Sequence, residues 1–301
     1  MKSIVETVDV TPSGWGSDLI ASYIVSGDKT AVIDTGPGNS YERLKRSLES
    51  LGIEPDYVIL THIHLDHGGA SGHIARDYPS VKILVHPKGA KHLANPSKLW
   101  NSAKVVLGRV AEIYGEPVPV PSENIVAVED GYRLDLGRGV SLGIYHTPGH
   151  ASHHMSILLE PEGVIFTGDS AGVSIVIDGV RVELPTTPPP FHPGLYLKSL
   201  EKMKALNPRR PAPAHYGVKD EDAVEYIDRE KRRLSSWYEI VRETVKQGIV
   251  DVGGVAEVLA SRNSDANRAF NHSNPIVKEV FYMGTVWGLV ETAKKELGLE
   301  G

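Results

Sequence analysis

Residues 61–68 read Thr-His-Ile-His-Leu-Asp-His-Gly, which gathers His62, His64, Asp66 and His67 into one short stretch. Neutral imidazole is the commonest metal ligand, and a carboxylate adds a hard anionic oxygen. A solvated polar loop rarely collects three of a chain's 13 histidines, so the stretch is read as a metal-binding loop. The apolar run Tyr57-Val58-Ile59-Leu60 stands directly before it, as a strand delivering these side chains to one spot would. Three later segments repeat the arrangement. His146-Thr147-Pro148-Gly149-His150 follows the run Leu142–Tyr145, Thr167-Gly168-Asp169 follows Val164–Phe166, and His215-Tyr216 follows Pro213-Ala214. Each segment by itself reads as a turn. Their number and order after the first loop point to one shared centre.

The elements that must position these residues can be read coarsely from hydrophobic periodicity and turn residues. Residues 19–25 and 30–34 form two strands, and Ser40 is placed to cap a helix over 41–51. Strand 57–60 leads into the metal loop, a helix runs from about 68 to 78, and 82–85 is a strand. Residues 87–115 read as helical up to a Pro-rich break at 117–121. Short strands follow within 125–145, 155–160 and 164–167. A Pro cluster spans 185–193, a helix covers about 194–206, and a last short segment carries 212–217. Beyond 218 the pattern is helical only, over 219–247, 252–261 and 275–298. This divides the chain into an α/β part, 1–217, and a helical C-terminal part, 218–301. The charge run Asp228–Arg233 is expected to be a solvated helix face.

Composition narrows the function. The 301 residues carry a formal charge of −6, 41% hydrophobic and 23% charged residues. That balance lacks the basic footprint of a nucleic-acid binder. With no cysteine, disulfides and thiolate metal ligands are both excluded. Glu6 and Asp9 fall where a secretory signal needs an apolar core, and no apolar run reaches the roughly 18–20 residues that span a bilayer. The expectation is a cytoplasmic protein without a membrane partner.

With His-x-His-x-Asp-His at 62–67, Thr-Pro-Gly-His at 147–150, Thr-Gly-Asp at 167–169, the late His215 and an early Asp34-Thr35-Gly36, the chain resembles the metallo-β-lactamase superfamily over about residues 5–217. The resemblance implies an α/β fold, the αββα sandwich, with the terminal helices as an extension. It implies two divalent ions, Zn first and Fe or Mn as alternatives. His62, His64 and His150 would hold one ion, Asp66, His67 and His215 the other, and Asp169 would bridge them. Such a pair lowers the pKa of a shared water towards about 7 and yields a bridging hydroxide. Asp66 is the candidate to pass on the proton, and Tyr216 the candidate donor to the developing oxyanion. Asp34 is expected to brace the ligand loop, and either His153 or His154 to orient a ligand. His192 in the Pro-rich loop and the Trp15 loop are candidate pocket edges. Lacking cysteine, the chain falls outside the family's thiolate-containing β-lactamases.

The function implied is a hydrolase for a small ester-like substrate, a thioester or a lactone. The alternatives are an iron enzyme resembling persulfide dioxygenase, which needs only part of this ligand set, and a small metal-dependent RNase, which the acidic balance disfavours. The expected partner is a small molecule, and the terminal helices could pair two chains into a homodimer.

Overall fold

The structure is a computed structural model and describes residues 4–299. The first three residues of the N-terminal stretch, where a secretory signal would begin, lie outside the described residues. The first sheet opens with an antiparallel meander of β1 (Val5–Asp9), β2 (Ala21–Ser26) and β3 (Thr30–Ile33). Three parallel strands extend it in sequence order: β4 (Tyr57–Ile59), β5 (Lys82–Val85) and β6 (Ile125–Ala127). Parallel neighbours require crossovers. These are supplied by α1 (Tyr41–Leu51), by α2 (Leu65–Gly68) with α3 (Ser71–Asp77), and by α4 (Pro87–Ala94), α5 (Ser97–Leu107) and α6 (Arg109–Tyr114).

The second sheet is built from β7 (Tyr132–Gly137), β8 (Val140–His146), β9 (Met155–Leu159) and β10 (Val164–Gly168), all antiparallel. A separate hairpin follows, β11 (Val173–Ile177) and β12 (Val180–Leu184). After α7 (Pro193–Ala205), β13 (Arg210–Pro213) joins the edge of the second sheet parallel to β10. The chain then turns helical: α8 (Ala223–Lys246), α9 (Val252–Arg262), α10 (Ser264–Phe270), a π-helical segment Ile276–Met283, and α11 (Gly284–Leu297).

Period-two alternation divides each strand between two cores. Ala21, Tyr23, Val25, Ile33, Ile59 and Leu84 meet Leu134, Leu142, Ile144, Ile157 and Phe166 in the layer between the sheets. Their chain neighbours Ile24, Val32, Val58 and Ile83 join a larger buried cluster with helix residues such as Leu44, Leu48 and Ile74. The result is the αββα sandwich, with further helices at the C-terminal end. Leu234, Trp237, Phe281 and Leu289 from those helices lie in the same buried cluster. No helix among the described residues is long and apolar enough to cross a membrane.

Several local expectations are revised. The helical stretch 87–115 is three helices. Asn95 is extended (φ −135°, ψ 93°) before Pro96, as the residue preceding proline tends to be, and Gly108 at φ 54° separates α5 from α6. Ser40 precedes α1 but makes no side-chain cap. The hairpin β11–β12 is an addition to the elements expected from sequence, although Asp178-Gly179 between β-branched residues is a strong hairpin signal; both residues have positive φ, 49° and 76°.

The charge run 228–233 is only half a solvated face. Arg232 is exposed and Lys231 half-buried, but Arg229, Glu230 and Arg233 turn inward. Arg229 forks onto both oxygens of Glu183 at 2.8 and 2.9 Å, and Glu230 is completely buried. Helical spacing put three of the six charges on the packed side, and each found a partner there.

Candidate metal centre

The seven ligand candidates lie just beyond the carboxyl ends of β4, β8, β10 and β13, where open α/β sheets bind their ligands. Residues 62–67 leave β4 and enter the single turn of α2. His150 ends the loop after β8, Asp169 follows β10, and His215 follows β13. All are buried except His64, which is half-buried, and none of the other six is more than 7% exposed.

The side chains converge as two triads. Nδ1 of His64 lies 3.0 Å from Nε2 of His62 and 3.1 Å from Nε2 of His150. In the other triad, Oδ2 of Asp66 is 3.7 Å from His67 Nε2 and 3.8 Å from His215 Nε2. Asp169 stands between them. Its Oδ1 is 3.5 Å from His67 Nε2 and 3.4 Å from His215 Nε2, while its Oδ2 is 3.5 Å from His150 Nε2. The ligand atoms of each three-residue group lie within 4.8 Å of one another.

The nitrogens that face the centre are chosen by bonds on the far side of each ring. His67 Nδ1 donates to Asp34 Oδ2 (3.0 Å), His150 Nδ1 to the Thr186 carbonyl (3.1 Å), and His215 Nδ1 to the Leu19 carbonyl (2.6 Å). Thr61 Oγ1 gives its proton to Asp34 Oδ2 at 2.7 Å, so it accepts from His62 Nδ1 at 3.1 Å. Four Nε2 lone pairs are thereby aimed inward. His154 holds the Asp169 loop in place, because its Nε2 accepts the Asp169 backbone N–H at 3.1 Å. Asp34 thus sits where the resemblance puts it, and His154 rather than His153 makes the orienting bond.

Electrostatics favours a cation. Burial, then the neighbouring imidazoles, pushes His62, His64 and His150 well below the usual histidine range, which leaves these imidazoles neutral, the form that can take a metal. His67 goes the other way: burial opposes its charge, but Asp66, Asp169 and Asp34 outweigh it and push it up to about 10. Burial raises Asp169, with Asp66 and Asp34 adding to the rise. Burial also acts upward on Asp66, but His67, His215 and His64 hold it below the usual carboxylate range. The buried atoms His67 Nε2, His215 Nε2 and Asp169 Oδ1 have no hydrogen-bond partner. Buried polar atoms are rarely left so, and here all three border one gap. The donor set of imidazoles and carboxylates without sulfur suits Zn, Fe or Mn.

The remaining candidates lie further out. Tyr216 is half-buried against the inter-sheet core, and the acids its hydroxyl faces are Asp18 and Asp9. His192 is exposed at the head of α7. The Trp15 loop is tied to the C-terminal helices, because Asn274 Nδ2 donates to the Trp15 carbonyl at 2.6 Å. Phe281 of the π-helical segment, which sequence patterning does not single out, packs its ring 4.5 Å from that of His215. π-Helical turns recur at functional sites, but no residue type in 276–283 announces one.

Fold and centre together define an αββα protein with a buried histidine–carboxylate metal site. The profile of the metallo-beta-lactamase superfamily matches residues 16–215. A metallo-beta-lactamase fold-containing protein of Sulfurisphaera tokodaii is 33% identical over 255 residues, which cover 83% of this chain and 89% of that protein. A solved archaeal superfamily member from Sulfolobus tokodaii superposes with a TM-score of 0.65 at 30% identity, over 76% of this chain and 84% of that one. A Thermus thermophilus family structure reaches 0.66 at 19% identity, over 99% and 95% of the two chains, which speaks for the fold alone. An atrochrysone carboxyl ACP thioesterase of Aspergillus fumigatus is 28% identical over 250 residues, 78% of this chain and 64% of that enzyme. The chain belongs to the metallo-beta-lactamase superfamily.

Proposed function

We propose that the protein is a dinuclear metal-dependent hydrolase of a small ester-like substrate, with a thioester ahead of a lactone. The carrying observation is the split carboxylate of Asp169, one oxygen toward His150 and the other toward His67 and His215. A carboxylate with an oxygen for each triad is what two neighbouring ions need as a bridge. The thioester is favoured because a relative at 28% identity is named a thioesterase. The metals are read as zinc, with iron or manganese able to use the same donors.

Bound ions in these triads would acidify a shared water and polarise the substrate carbonyl. The protein's own part is positioning and desolvation. Asp34, Thr61, Thr186 and the Leu19 carbonyl hold the imidazoles so that no reorganisation is needed when substrate arrives. Near-complete burial of the ligands strengthens every charge interaction in the chamber. Asp66, anionic beside His67 and His215, takes a proton and returns it to the departing thiolate or alkoxide. The test is metal analysis joined to a panel of thioesters, lactones and simple esters on Zn-, Mn- and Fe-loaded protein. Two ions per chain with thioester cleavage is expected. One ion per chain, with none of the panel cleaved, refutes the proposal.

A further inference from the structure

Among the seven ligand candidates His64 alone is half-buried, so the accessible side of the centre is that of the His62–His64–His150 triad. The first turn of α4 is clamped onto both loops that build this triad. A Cβ on Gly89 would lie 2.9 Å from Cγ2 of Ile63, the residue between His62 and His64, so glycine lets the helix come this close. Three residues earlier, the ring of His86 lies 4.1 Å from that of His146. His146 ends β8 and starts the loop to His150. His86 also caps α4: its Nδ1 accepts the Lys88 N–H at 3.0 Å, which fixes the backbone at Lys88.

The helix so placed is basic. Residues 78–111 contain no Asp or Glu but five Lys and one Arg, in a chain of net charge −6. Lys88 and Lys91 stand one turn apart on α4, both exposed, and like charges at this spacing repel. Lysines elsewhere, such as Lys45, Lys204 and Lys231, meet carboxylates. Among the described residues Lys88 and Lys91 meet none. Between them and the metal ligands stands His153, half-buried, its ring perpendicular to that of His64 with centroids 5.5 Å apart. Burial first, then His86, with His92 and Lys88 adding, pushes His153 down to about 4, so the charge of α4 bears on this ring as well.

We propose that Lys88 and Lys91 bind phosphate on the leaving group, so that the thioester cleaved here is that of a phosphate-bearing thiol. This rests on the hydrolase reading above. Lysine serves phosphate as a point charge, and two unopposed cations call for more negative charge than one carboxylate brings. Both lysines lie outside the buried chamber, so an arm must separate the sulfur from the phosphate. Hydrolysis breaks the C–S bond: the hydroxyl of water ends on the acyl carbon and its proton on the departing thiolate. A single-stranded nucleic acid is the competing source of phosphate. The aromatic residues of the stretch, Tyr78 half-buried and Trp100 8% exposed, leave it little face on which to stack bases.

The experiment uses Zn-loaded full-length protein and two substrates, acetyl-coenzyme A and S-phenyl thioacetate, which share the acyl group and differ in the charge of the thiol. The variants are Lys88→Glu with Lys91→Glu, Lys88→Arg with Lys91→Arg, and Lys246→Glu at the exposed end of α8 as a charge control. The double Glu variant is expected to raise KM for acetyl-coenzyme A at least about tenfold with kcat little changed, as when binding shared by substrate and transition state is lost. Both constants for S-phenyl thioacetate should stay within about twofold of wild type, which shows the metal centre intact. The double Arg variant and Lys246→Glu should match wild type on both substrates. Desulfo-coenzyme A, which lacks the thiol, should bind the wild type by calorimetry, weaken as salt screens the contact, and lose affinity in the double Glu variant. An equal rise in KM for both thioesters overturns the proposal, as does unchanged affinity for desulfo-coenzyme A. So does a short single-stranded RNA that binds more tightly than desulfo-coenzyme A and depends on the same lysines. If the wild type cleaves neither thioester yet binds desulfo-coenzyme A through Lys88 and Lys91, the hydrolase reading falls and the phosphate site stands.

Discussion

Asp34 Oδ2 lies 3.0 Å from His67 Nδ1 and so turns the opposite nitrogen of that imidazole toward Asp169. The same carboxylate accepts the Thr61 N–H and hydroxyl, each at 2.7 Å. It thereby orients His62 as well, through the threonine oxygen. Asp34 holds φ at 56° to do this, a left-handed conformation that few non-glycine residues adopt. Asp34→Ala should weaken metal binding about 10- to 100-fold, as loss of such a supporting carboxylate does. The second triad should suffer more, because His67 loses its direct bond. Competition with a chromophoric chelator measures both steps, and wild-type affinity at both sites would refute the relay.

Asp169 has an oxygen toward each triad. Asp169→Ala should lower metal content to less than one ion per chain and abolish hydrolysis. Asp66→Ala removes a ligand from a single triad, so it should spare the His62–His64–His150 ion. Elemental analysis after dialysis separates the two cases. Equal metal content in the two variants would mean that Asp169 does not bridge.

The ligand candidates were legible in the sequence because metal donors need particular residue types at strand ends, and His62-x-His64-x-Asp66-His67 carries its spacing openly; their division into two triads came from the family resemblance. The α/β character was legible from the strand and helix patterns, while the sandwich itself came from the family resemblance; the alternation of Tyr23 and Ile24 between two cores fits it. What escaped was set by distant contacts. Thr186 acts through a backbone carbonyl that any residue could supply. Phe281 draws no notice in the sequence until tertiary packing sets its ring 4.5 Å from that of His215. Glu230 and Arg233 read as solvated charges because helical phase does not tell which side meets β12 and α7.

Glu230 supplies a pH signature away from the metal ligands. Burial pushes its carboxyl up from 4.5 to about 7, opposed by Arg233 and by the Tyr196 hydroxyl 3.0 Å away, with Glu183 adding to the rise. The folded chain thus holds this proton more tightly than the unfolded one. Its contribution to stability is fully present below about pH 4.5 and is lost as pH rises through about 7. A shift of this size corresponds to on the order of 3 kcal/mol. Glu230→Gln should flatten that part of the curve, so the variant gains on the wild type between about pH 5 and 7.5 in urea denaturation. Parallel curves would show that Glu230 is ionised throughout.

Gly288 decides how α11 meets the strip that orients His150. Thr187 Oγ1 donates to the Thr285 carbonyl at 3.0 Å, Thr285 Oγ1 donates to the Pro185 carbonyl at 2.7 Å, and the Thr186 carbonyl between them receives His150 Nδ1. In an isolated helix, Gly→Ala would stabilise by about 1 kcal/mol. Here a Cβ on Gly288 would overlap the Thr187 carbonyl oxygen, and backbone atoms on both sides leave it no flexible neighbour to displace. Overpacking of this kind costs about 1–3 kcal/mol, so steric cost should exceed helix propensity and Gly288→Ala should lower stability. Because the strip would move with α11, metal affinity at the His62–His64–His150 triad should fall in the same variant. Thermal melts with and without added Zn read both effects. A variant more stable than wild type, with unchanged metal affinity, would mean that α11 does not bear on the centre through Thr187.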